Sequence, residues 1–314
     1  MLMQKFDSYW AKENSETEGG DGRGLWWSKL REKDVDGPGF TGGVKGFEVL
    51  DLKKEQARKE TGGESIPEGA IFGIKYQSIC INIPQYLTHL LHRVKEHGTN
   101  IIKTTVNTSN GLSGVVHSAK QILLQHNPSI NESSVKILIN CTGLGARHFV
   151  RPEEATKLFP IRGQTLLVKG EALKARTFVG FGEEDELVYV IPRPGSGTTI
   201  LGGCKQVGNW SAEVDRDLEE RIMGWVRAWG LGEELRTGGE RGRGFEVLSR
   251  QVGLRPGRRG GPRVELEGGE GRAEGKEDGK VEGVWVVHSY GHAGGGYQCS
   301  IGCGERVAKI VAGL

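Results

Sequence analysis

The feature that most constrains this chain is a strand, a glycine-rich loop and a helix that follow one another near the C-terminus. Residues 284–288 (VWVVH) are apolar and β-branched, which predicts a buried strand. Residues 290–296 (YGHAGGG) are a loop, and Ile301, Val307 and Ile310 recur at helical spacing after it. Such a junction directs free backbone N–H groups and the positive end of a helix dipole at one point. It predicts either a site for an anionic or electron-rich group or an ordinary strand–helix connection.

Glycine is abundant throughout the chain, with 51 residues among 314. Hydrophobic residues still make up 36%, which is enough for a core and excludes a chain that is disordered throughout. Three polar, glycine-rich segments, residues 12–24, 230–244 and 268–283, are predicted to be solvated loops between packed elements.

Charge and cysteine content exclude several classes of function. The balance of 42 Lys+Arg against 40 Asp+Glu disfavours a nucleic-acid partner. The longest apolar runs fall far short of the roughly 18 residues of a membrane span, and the opening residues do not resemble a signal peptide. We therefore expect no membrane association and an intracellular chain. The five cysteines are scattered without a Cys-x-x-Cys pair, which predicts neither a disulfide framework nor a zinc site.

Periodic apolar residues predict two further helices. The first follows residues 82–85 and ends at Gly98. The second carries an apolar stripe that includes Leu218 and Ile222, with Ser211 as its expected N-cap.

Apolar and β-branched runs predict the strands. Single strands are expected at residues 101–106, 135–140 and 165–169, and a hairpin is expected from residues 187–191 and 198–201. The hairpin implies an antiparallel sheet.

Two polar side chains are candidates for ligand binding. Arg255 lies in a mostly apolar stretch, and its planar guanidinium matches a carboxylate, although a lone arginine is more often a solvated surface charge. Arg258, Arg259 and Arg263 are predicted to form an exposed basic turn. Tyr189, on the hairpin, is either a buried structural tyrosine or a phenol that reaches a ligand.

The histidines and cysteines give weaker signals. His288 and His292 lie four residues apart without a third residue at metal-ligand spacing, so no metal is predicted. His89 is expected to be solvated on its helix. Cys204 and Cys299 lack an activating neighbour and are expected to be ordinary core or loop residues.

Several sequence blocks, taken in order, resemble the D-amino-acid oxidase family and particularly its fungal members. The blocks are residues 140–146 (NCTGLGA), 160–164 (PIRGQ), 189–193 (YVIPR), 201–203 (LGG), 208–210 (GNW), 252–256 (VGLRP), 288–292 (HSYGH) and 296–298 (GYQ). Residues 73–76 and 82–87 also resemble family segments.

The resemblance implies a two-domain flavoprotein of mixed fold class, α/β plus α+β. It predicts an incomplete FAD-binding dinucleotide domain together with a substrate domain built on an antiparallel sheet. Residues 1–80 and 151–250 would belong to the substrate domain, and residues 81–150 and 251–314 to the FAD-binding domain.

The resemblance also assigns roles to individual residues. Arg255 and Tyr189 would hold the α-carboxylate of a D-amino acid, and the carbonyl of Gly294 would accept a hydrogen bond from its amine. Hydride transfer to FAD and reoxidation by oxygen would follow, with D-amino acid and oxygen as partners and a homodimer as an allowed assembly. The residues expected to contact FAD are Val106, Thr142, Gly143, Gly295, Gly296, Tyr297 and Gln298.

Two departures from the family pattern accompany the resemblance. Family members begin with a strand and a Gly-x-Gly-x-x-Gly turn for the FAD pyrophosphate, and residues 20–24 (GDGRG) follow no predicted strand. The alternative is therefore a truncated, inactive remnant or binding protein. Residues 312–314 (AGL) are not Ser-Lys-Leu, so a peroxisomal location, or otherwise a cytoplasmic one, rests on the resemblance.

Lys205 raises the question of which D-amino acid is oxidised. Its position resembles one that carries a cation in the D-aspartate oxidase branch, and a cation there would meet a side-chain carboxylate. The alternative is a solvated lysine on the outward face, because Lys205 and Cys204 point to opposite sides of a strand.

Overall fold

The computed structural model describes residues 2–11, 48–51, 69–183, 185–232, 235, 244–269 and 279–314. Of the predicted loops, residues 12–24 lie outside the described residues, as do residues 236–243 and 270–278 within the other two. Among the described residues, no helix is both long and apolar enough to cross a membrane.

The described residues form five α-helices and thirteen strands. The described α-helices are α1 (Ile83–Glu96), α2 (Gly111–His126), α3 (Pro152–Ala155), α4 (Arg216–Ala228) and α5 (Ser300–Ala312). The described strands are β1 (Leu2–Ala11), β2 (Glu48–Val49), β3 (Ala70–Cys80), β4 (Ile137–Asn140), β5 (Leu158–Lys169), β6 (Ala175–Val179), β7 (Glu186–Arg193), β8 (Thr198–Cys204), β9 (Gln206–Val207), β10 (Val247–Arg258), β11 (Arg263–Leu266), β12 (Lys280–Val281) and β13 (Val284–Tyr290).

The strands form two sheets. The larger has the order β10-β5-β8-β7-β6-β1-β3-β2, with β9 beside β5, and its pairs are antiparallel except for the parallel pair β1 and β6 where the register is given. In the smaller sheet, β13 pairs antiparallel with β11 and β12 and parallel with β4. The expected combination of mixed and antiparallel sheets with helices is confirmed.

The chain divides into two compact units. The first comprises Met1–Asn100, Arg162–Gln206 and Ser211–Gly253, and the second comprises Ile101–Ile161, Val207–Trp210 and Leu254–Leu314. The assignment of residues 1–80, 81–150, 151–250 and 251–314 to substrate and FAD-binding domains stays a prediction.

The core of the first unit lies between its sheet and α4. The helix presents Leu218, Ile222 and Val226 to the sheet, where Val190 and Leu201 are buried. This packing follows from the helical spacing of the apolar residues, which places them on one face. The hairpin of β7 and β8 has the predicted antiparallel pairing.

The N-cap of α4 differs from the prediction. Ser211 does not cap the helix; the Asp215 carboxylate accepts a hydrogen bond from the Leu218 N–H at 2.9 Å. A residue directly before the first helical turn reaches those N–H groups, whereas Ser211 lies five residues before Arg216, where α4 starts.

The second unit packs α2 against the smaller sheet. Val116 of α2 lies in one cluster with Val284 and Val286 of β13, and all three are at most 1% exposed. The predicted strand at residues 284–288 is confirmed as β13 and extends to Tyr290. The predicted strand at residues 135–140 is confirmed in the shorter form of β4.

Residues 101–106 are not a strand, and that prediction is wrong. The segment has no regular secondary structure, and Ile101 and Val106 are 51% and 37% exposed. β-branched residues favour a strand only where a neighbouring strand pairs with them.

The predicted glycine stop of α1 is confirmed, since Gly98 follows its end with a φ of +77°.

Candidate active site

The candidate site begins where two parallel strands of the second unit end. β4 and β13 pair in register from Trp285 opposite Ile137 to His288 opposite Asn140. Because parallel strands end at the same edge of a sheet, the loops that follow them start side by side. One loop carries Thr142 and the other begins at Gly291.

The loop after β4 turns sharply at Gly143. The Asn140 side-chain oxygen accepts hydrogen bonds from the Thr142 N–H at 3.1 Å and from the Thr142 hydroxyl at 2.7 Å. Gly143 has a φ of +59°, and a Cβ at this position would stand 3.6 Å from the Pro256 Cβ. A glycine is favoured here because a side chain would be strained by this backbone conformation.

The loop after β13 leads into the start of α5. A Cβ on Gly291, whose φ is +85°, would lie 2.7 Å from the Arg258 Cβ, so the close approach requires glycine. Gly294 and Gly296 are exposed, and Cys299 at the N-cap position makes no side-chain capping bond. No side chain caps α5, and the N–H groups of Cys299 and Ser300 at its start donate to the Gly295 and Tyr297 carbonyls at 2.9 and 3.3 Å. The predicted interaction of this helix start with an anionic group stays a prediction.

Arg255 lies beside this second loop. It is half-buried on β10, and its Cδ lies 4.0 Å from the point where a Cβ on Gly294 would stand. The next residue, Pro256, is the one that packs against Gly143. Two adjacent residues of β10 therefore contact the two glycine loops, which brings together Arg255, Gly294 and Gly143, three of the predicted site residues.

The remaining residues predicted to contact FAD are Val106, Gly295, Tyr297 and Gln298. Val106 lies in the irregular segment before α2, and Tyr297 is 46% exposed between the loop and α5. Gln298 is exposed. A Cβ added to Gly295 would stand 3.6 Å from the Cys299 Sγ. Their contact with FAD stays a prediction.

Arg258, whose Cβ approaches Gly291, belongs to a largely buried ionic network. Arg258 donates two hydrogen bonds to the Glu154 carboxylate, at 2.6 and 3.0 Å, and the Tyr290 hydroxyl donates to Glu154 at 3.1 Å. Arg263 donates to the Tyr290 hydroxyl at 3.0 Å and to Glu267 at 3.1 Å. The prediction that Arg258 and Arg263 belong to an exposed basic turn is wrong, because acidic partners allow both side chains to be largely buried. Arg258 pairs with Glu154 of α3, and Arg263 with Glu265 and Glu267.

The network shifts the pKa of its acidic members. Burial alone would raise the pKa of Glu154, but the bonds from Arg258 and Lys157 lower it to about 2. The hydrogen bond from His288, with Arg263 and Arg151 nearby, lowers the pKa of Glu267 to about 2 against the effect of burial. Both carboxylates are therefore charged and paired at neutral pH.

His288 belongs to this network. It is fully buried, and its Nε2 lies 2.7 Å from Glu267 while its Nδ1 lies 3.1 Å from the Asn140 amide. His292 is half-buried, and burial lowers its pKa. Within the described part of the chain, the group of acidic side chains close enough to hold a metal is Glu183, Asp185 and Glu186, which includes no histidine.

Tyr189 lies in the first unit and is buried, with 8% of its surface exposed. It pairs with Gly202 across β7 and β8, and a Cβ on Gly202 would overlap the ring at Cζ, Cε2 and the hydroxyl. A Cβ on Gly203 would stand 2.9 Å from the same hydroxyl. Gly202 is therefore required by the tyrosine ring, whereas at Gly203 a Cβ would first meet the Gln164 carbonyl oxygen, at 2.5 Å. Whether the Tyr189 hydroxyl also reaches a ligand stays a prediction.

Lys205 is exposed next to the fully buried Cys204. Strand β8 ends at Cys204, so Lys205 lies just outside it and the predicted alternation of these two residues along one strand is not tested. The exposed position agrees with a solvated lysine, and the interaction with an acidic substrate stays a prediction.

Sequence reasoning missed the acidic members of the network and the role of Pro256. Glu154 and Glu267 carry no motif, and Glu154 lies 104 residues from its partner Arg258. The close packing against Tyr189 was also missed, although the adjacent glycines at 202 and 203 gave a signal for it, since glycine inside a strand indicates a close approach.

The chain matches the family model described as FAD dependent oxidoreductase over residues 31–310 and belongs to that family. Its relatives include a D-amino-acid oxidase from Fusarium vanettenii, 32% identical over 260 residues that cover 82% of this chain and 63% of the relative. A D-aspartate oxidase from Talaromyces thermophilus is 33% identical over 284 residues, or 85% of this chain and 65% of the relative. The chain thus spans less than two thirds of the length of these relatives.

Solved structures agree on the fold. Glycine oxidase from Geobacillus kaustophilus superposes with a TM-score of 0.61 and 14% identity, covering 99% of this chain and 71% of that one. Glycine oxidase from Bacillus cereus gives a TM-score of 0.60 at 15% identity, covering 99% and 73%. At this identity the likeness shows the fold.

FAD is the cofactor of this family, and the second unit offers groups that fit part of it. Gly294 and Gly296 are exposed just before α5, and the positive end of that helix dipole stabilises negative charge. Residues 20–24, which were compared above with the pyrophosphate turn of the family, lie outside the described residues.

Proposed function

We propose that this chain acts as a D-amino-acid oxidase-like flavoprotein, which converts D-amino acids to 2-oxo acids with release of ammonia and hydrogen peroxide. The observation that carries the proposal is the contact of adjacent β10 residues with both glycine loops, Arg255 beside Gly294 and Pro256 beside Gly143. The names of the D-amino-acid oxidase and D-aspartate oxidase relatives support the substrate class.

The proposed roles use groups of this chain to bind and orient the substrate. The Arg255 guanidinium binds the α-carboxylate through two parallel hydrogen bonds, and the Gly294 carbonyl accepts one from the amine. The Tyr189 hydroxyl donates to the carboxylate. When bound, FAD supplies the two-electron acceptor for the substrate Cα–H, and oxygen regenerates it with release of hydrogen peroxide. The imino acid then takes up water to give the 2-oxo acid and ammonia.

The test is peroxide and ammonia release from paired D- and L-amino acids by the purified chain with added FAD. We expect turnover of the D enantiomers. Replacing Arg255 by alanine is expected to lower kcat/KM by about 30- to 1000-fold, because a charge-assisted pair of hydrogen bonds is lost.

The matched control for this test is Arg259→Ala. Arg259 is an exposed arginine four residues away, and its side chain is not part of the proposed site. We expect its kcat/KM to stay within about twofold of the parent. Absence of D-amino-acid turnover by a protein that binds FAD would contradict the proposal and leave a binding protein as the better interpretation.

The preferred substrate is proposed to be a neutral D-amino acid, because Lys205 is exposed. A comparison of D-alanine with D-aspartate tests this, since replacement of Lys205 by alanine should then affect both substrates equally. A selective loss with D-aspartate would show that Lys205 meets the side-chain carboxylate of an acidic substrate.

We also propose a peroxisomal location and a homodimer, both on the likeness to the family. Fluorescence microscopy of the tagged chain beside a peroxisomal marker tests the location, and light scattering of the purified protein tests the assembly. A diffuse signal or a monomeric mass would contradict the respective proposal.

A further inference from the structure

The Asn140 side chain has a defined orientation. A backbone N–H can only donate, so the side-chain atom 3.1 Å from the Thr142 N must be the amide oxygen. The Thr142 hydroxyl donates to the same oxygen at 2.7 Å. The amide NH₂ of Asn140 therefore points the other way, toward His288.

The orientation of Asn140 fixes the tautomer of His288. The Asn140 Nδ2 lies 3.1 Å from the His288 Nδ1, and because the amide donates, Nδ1 must accept and carry no proton. The ring proton is then on Nε2, which lies 2.7 Å from the Glu267 carboxylate and donates to it. Each polar atom in this chain of bonds has a matching partner.

Glu267 anchors the far end of this chain of bonds. Its carboxylate also accepts hydrogen bonds from Arg263 at 3.1 Å and lies 3.1 Å from the Arg151 guanidinium. The Tyr290 ring stands edge-on to the imidazole, with centroids 5.6 Å apart. These contacts hold Glu267 and the imidazole in place, since Asn140, His288 and Glu267 are 2%, 0% and 8% exposed.

We propose that Glu267, His288 and Asn140 form a hydrogen-bonded relay that positions the Thr142 amide and hydroxyl, and with them the Gly143 turn, for contact with FAD. The proposal rests on the proposed function for the identity of the ligand. All three relay residues act through Thr142, which is exposed at the end of the relay, and are therefore positioning residues.

A relay explains an arrangement that simple packing does not require. Apolar side chains of similar volume would fill the same interior without the cost of burying polar groups. Fully satisfied buried networks instead fix one arrangement of the groups they hold. Here the group at the end of the network is the loop that follows β4.

The first test determines the tautomer of His288 in the FAD-free protein. Long-range ¹⁵N–¹H NMR of labelled histidine shows which ring nitrogen carries the proton, and we expect Nε2 alone for His288. The Asn140→Asp variant presents an acceptor to both Thr142 and Nδ1, so it should add a proton at Nδ1 while the Thr142 amide resonance changes little. A proton on Nδ1 of the parent protein would overturn the relay.

The second test compares two substitutions of His288. His288→Leu removes the acceptor for the Asn140 amide, whereas His288→Asn can restore an acceptor at the Nδ1 position. We expect the leucine variant to move the Thr142 amide resonance and to raise the Kd for FAD about tenfold. The asparagine variant should recover most of that affinity, to within about threefold of the parent.

The control is Val286→Ala, which creates a cavity two residues away on the same face of β13. Val286 is fully buried, so its truncation lowers stability without touching the relay. Equal effects of Val286→Ala and His288→Leu on the Thr142 resonance would show a merely structural role and refute the proposal. If the parent binds no FAD, the proposed function fails, but the tautomer and the Thr142 resonance still decide the relay.

Discussion

Substitution of Gly202 by alanine tests how tightly β8 receives the Tyr189 ring. The added Cβ would overlap three atoms of that ring, Cζ, Cε2 and the hydroxyl oxygen. The ring is buried in the sheet, so relief requires movement of the strand. An extra methyl group in a well-packed core lowers the free energy of unfolding by about 1–3 kcal/mol. Because the overlap here is with a rigid ring, we expect a loss of about 3 kcal/mol.

Urea denaturation followed by tryptophan fluorescence measures this loss of free energy of unfolding. Gly253→Ala is the matched control, since it is a strand glycine with no heavy atom within 4 Å of the added Cβ, and we expect a change below about 1 kcal/mol.

A double variant shows whether the loss of stability in Gly202→Ala comes from the overlap with the Tyr189 ring. In the background Tyr189→Val the ring is absent, and the cost of Gly202→Ala should fall by at least about 1 kcal/mol. A Gly202→Ala protein within about 0.5 kcal/mol of the parent would refute the packing argument. An equal cost in both backgrounds would refute the assignment of that cost to Tyr189.

Two further predictions concern stability. Asp215→Ala should lower the free energy of unfolding by about 1 kcal/mol because α4 loses its N-cap, whereas Ser211→Ala should cost less in the same urea titration; the reverse order would contradict the capping. The pKa of Glu154 is lowered from 4.5 to about 2, so its contribution to stability is present above pH 4.5 and is lost as the pH falls toward 2. Acid titration of Glu154→Gln should therefore lose less stability over this range than the exposed control Glu153→Gln, and equal slopes would contradict the pairing.

The elements that could be predicted from the sequence are those whose pattern is local. Helix α1 ends just before Gly98, and the hairpin of β7 and β8 forms where two alternating runs flank a turn. The strand β13 and the helix α5 likewise follow from an apolar run and helical spacing on either side of a glycine loop.

The features of the fold and site that could not be predicted depend on contacts between residues that are distant in sequence. Residues 101–106 have the composition of a strand, but they pair with none of the described strands. Arg258 looks solvated until Glu154, 104 residues away, is placed beside it. The contact of Pro256 with Gly143 likewise joins segments that no local pattern relates. The site residues could be named by resemblance, but the reason for their arrangement required the structure.

The most direct test of the central claim is anaerobic mixing of the FAD-loaded chain with D-alanine and, separately, with L-alanine, while the visible absorption of the flavin is recorded. The account predicts that D-alanine bleaches the flavin absorption, that L-alanine does not, and that Arg255→Ala slows the bleaching by about 30-fold or more. A flavin that stays oxidised with D-alanine, with D-aspartate and with every other D-amino acid, in a protein that holds FAD, would contradict the claim.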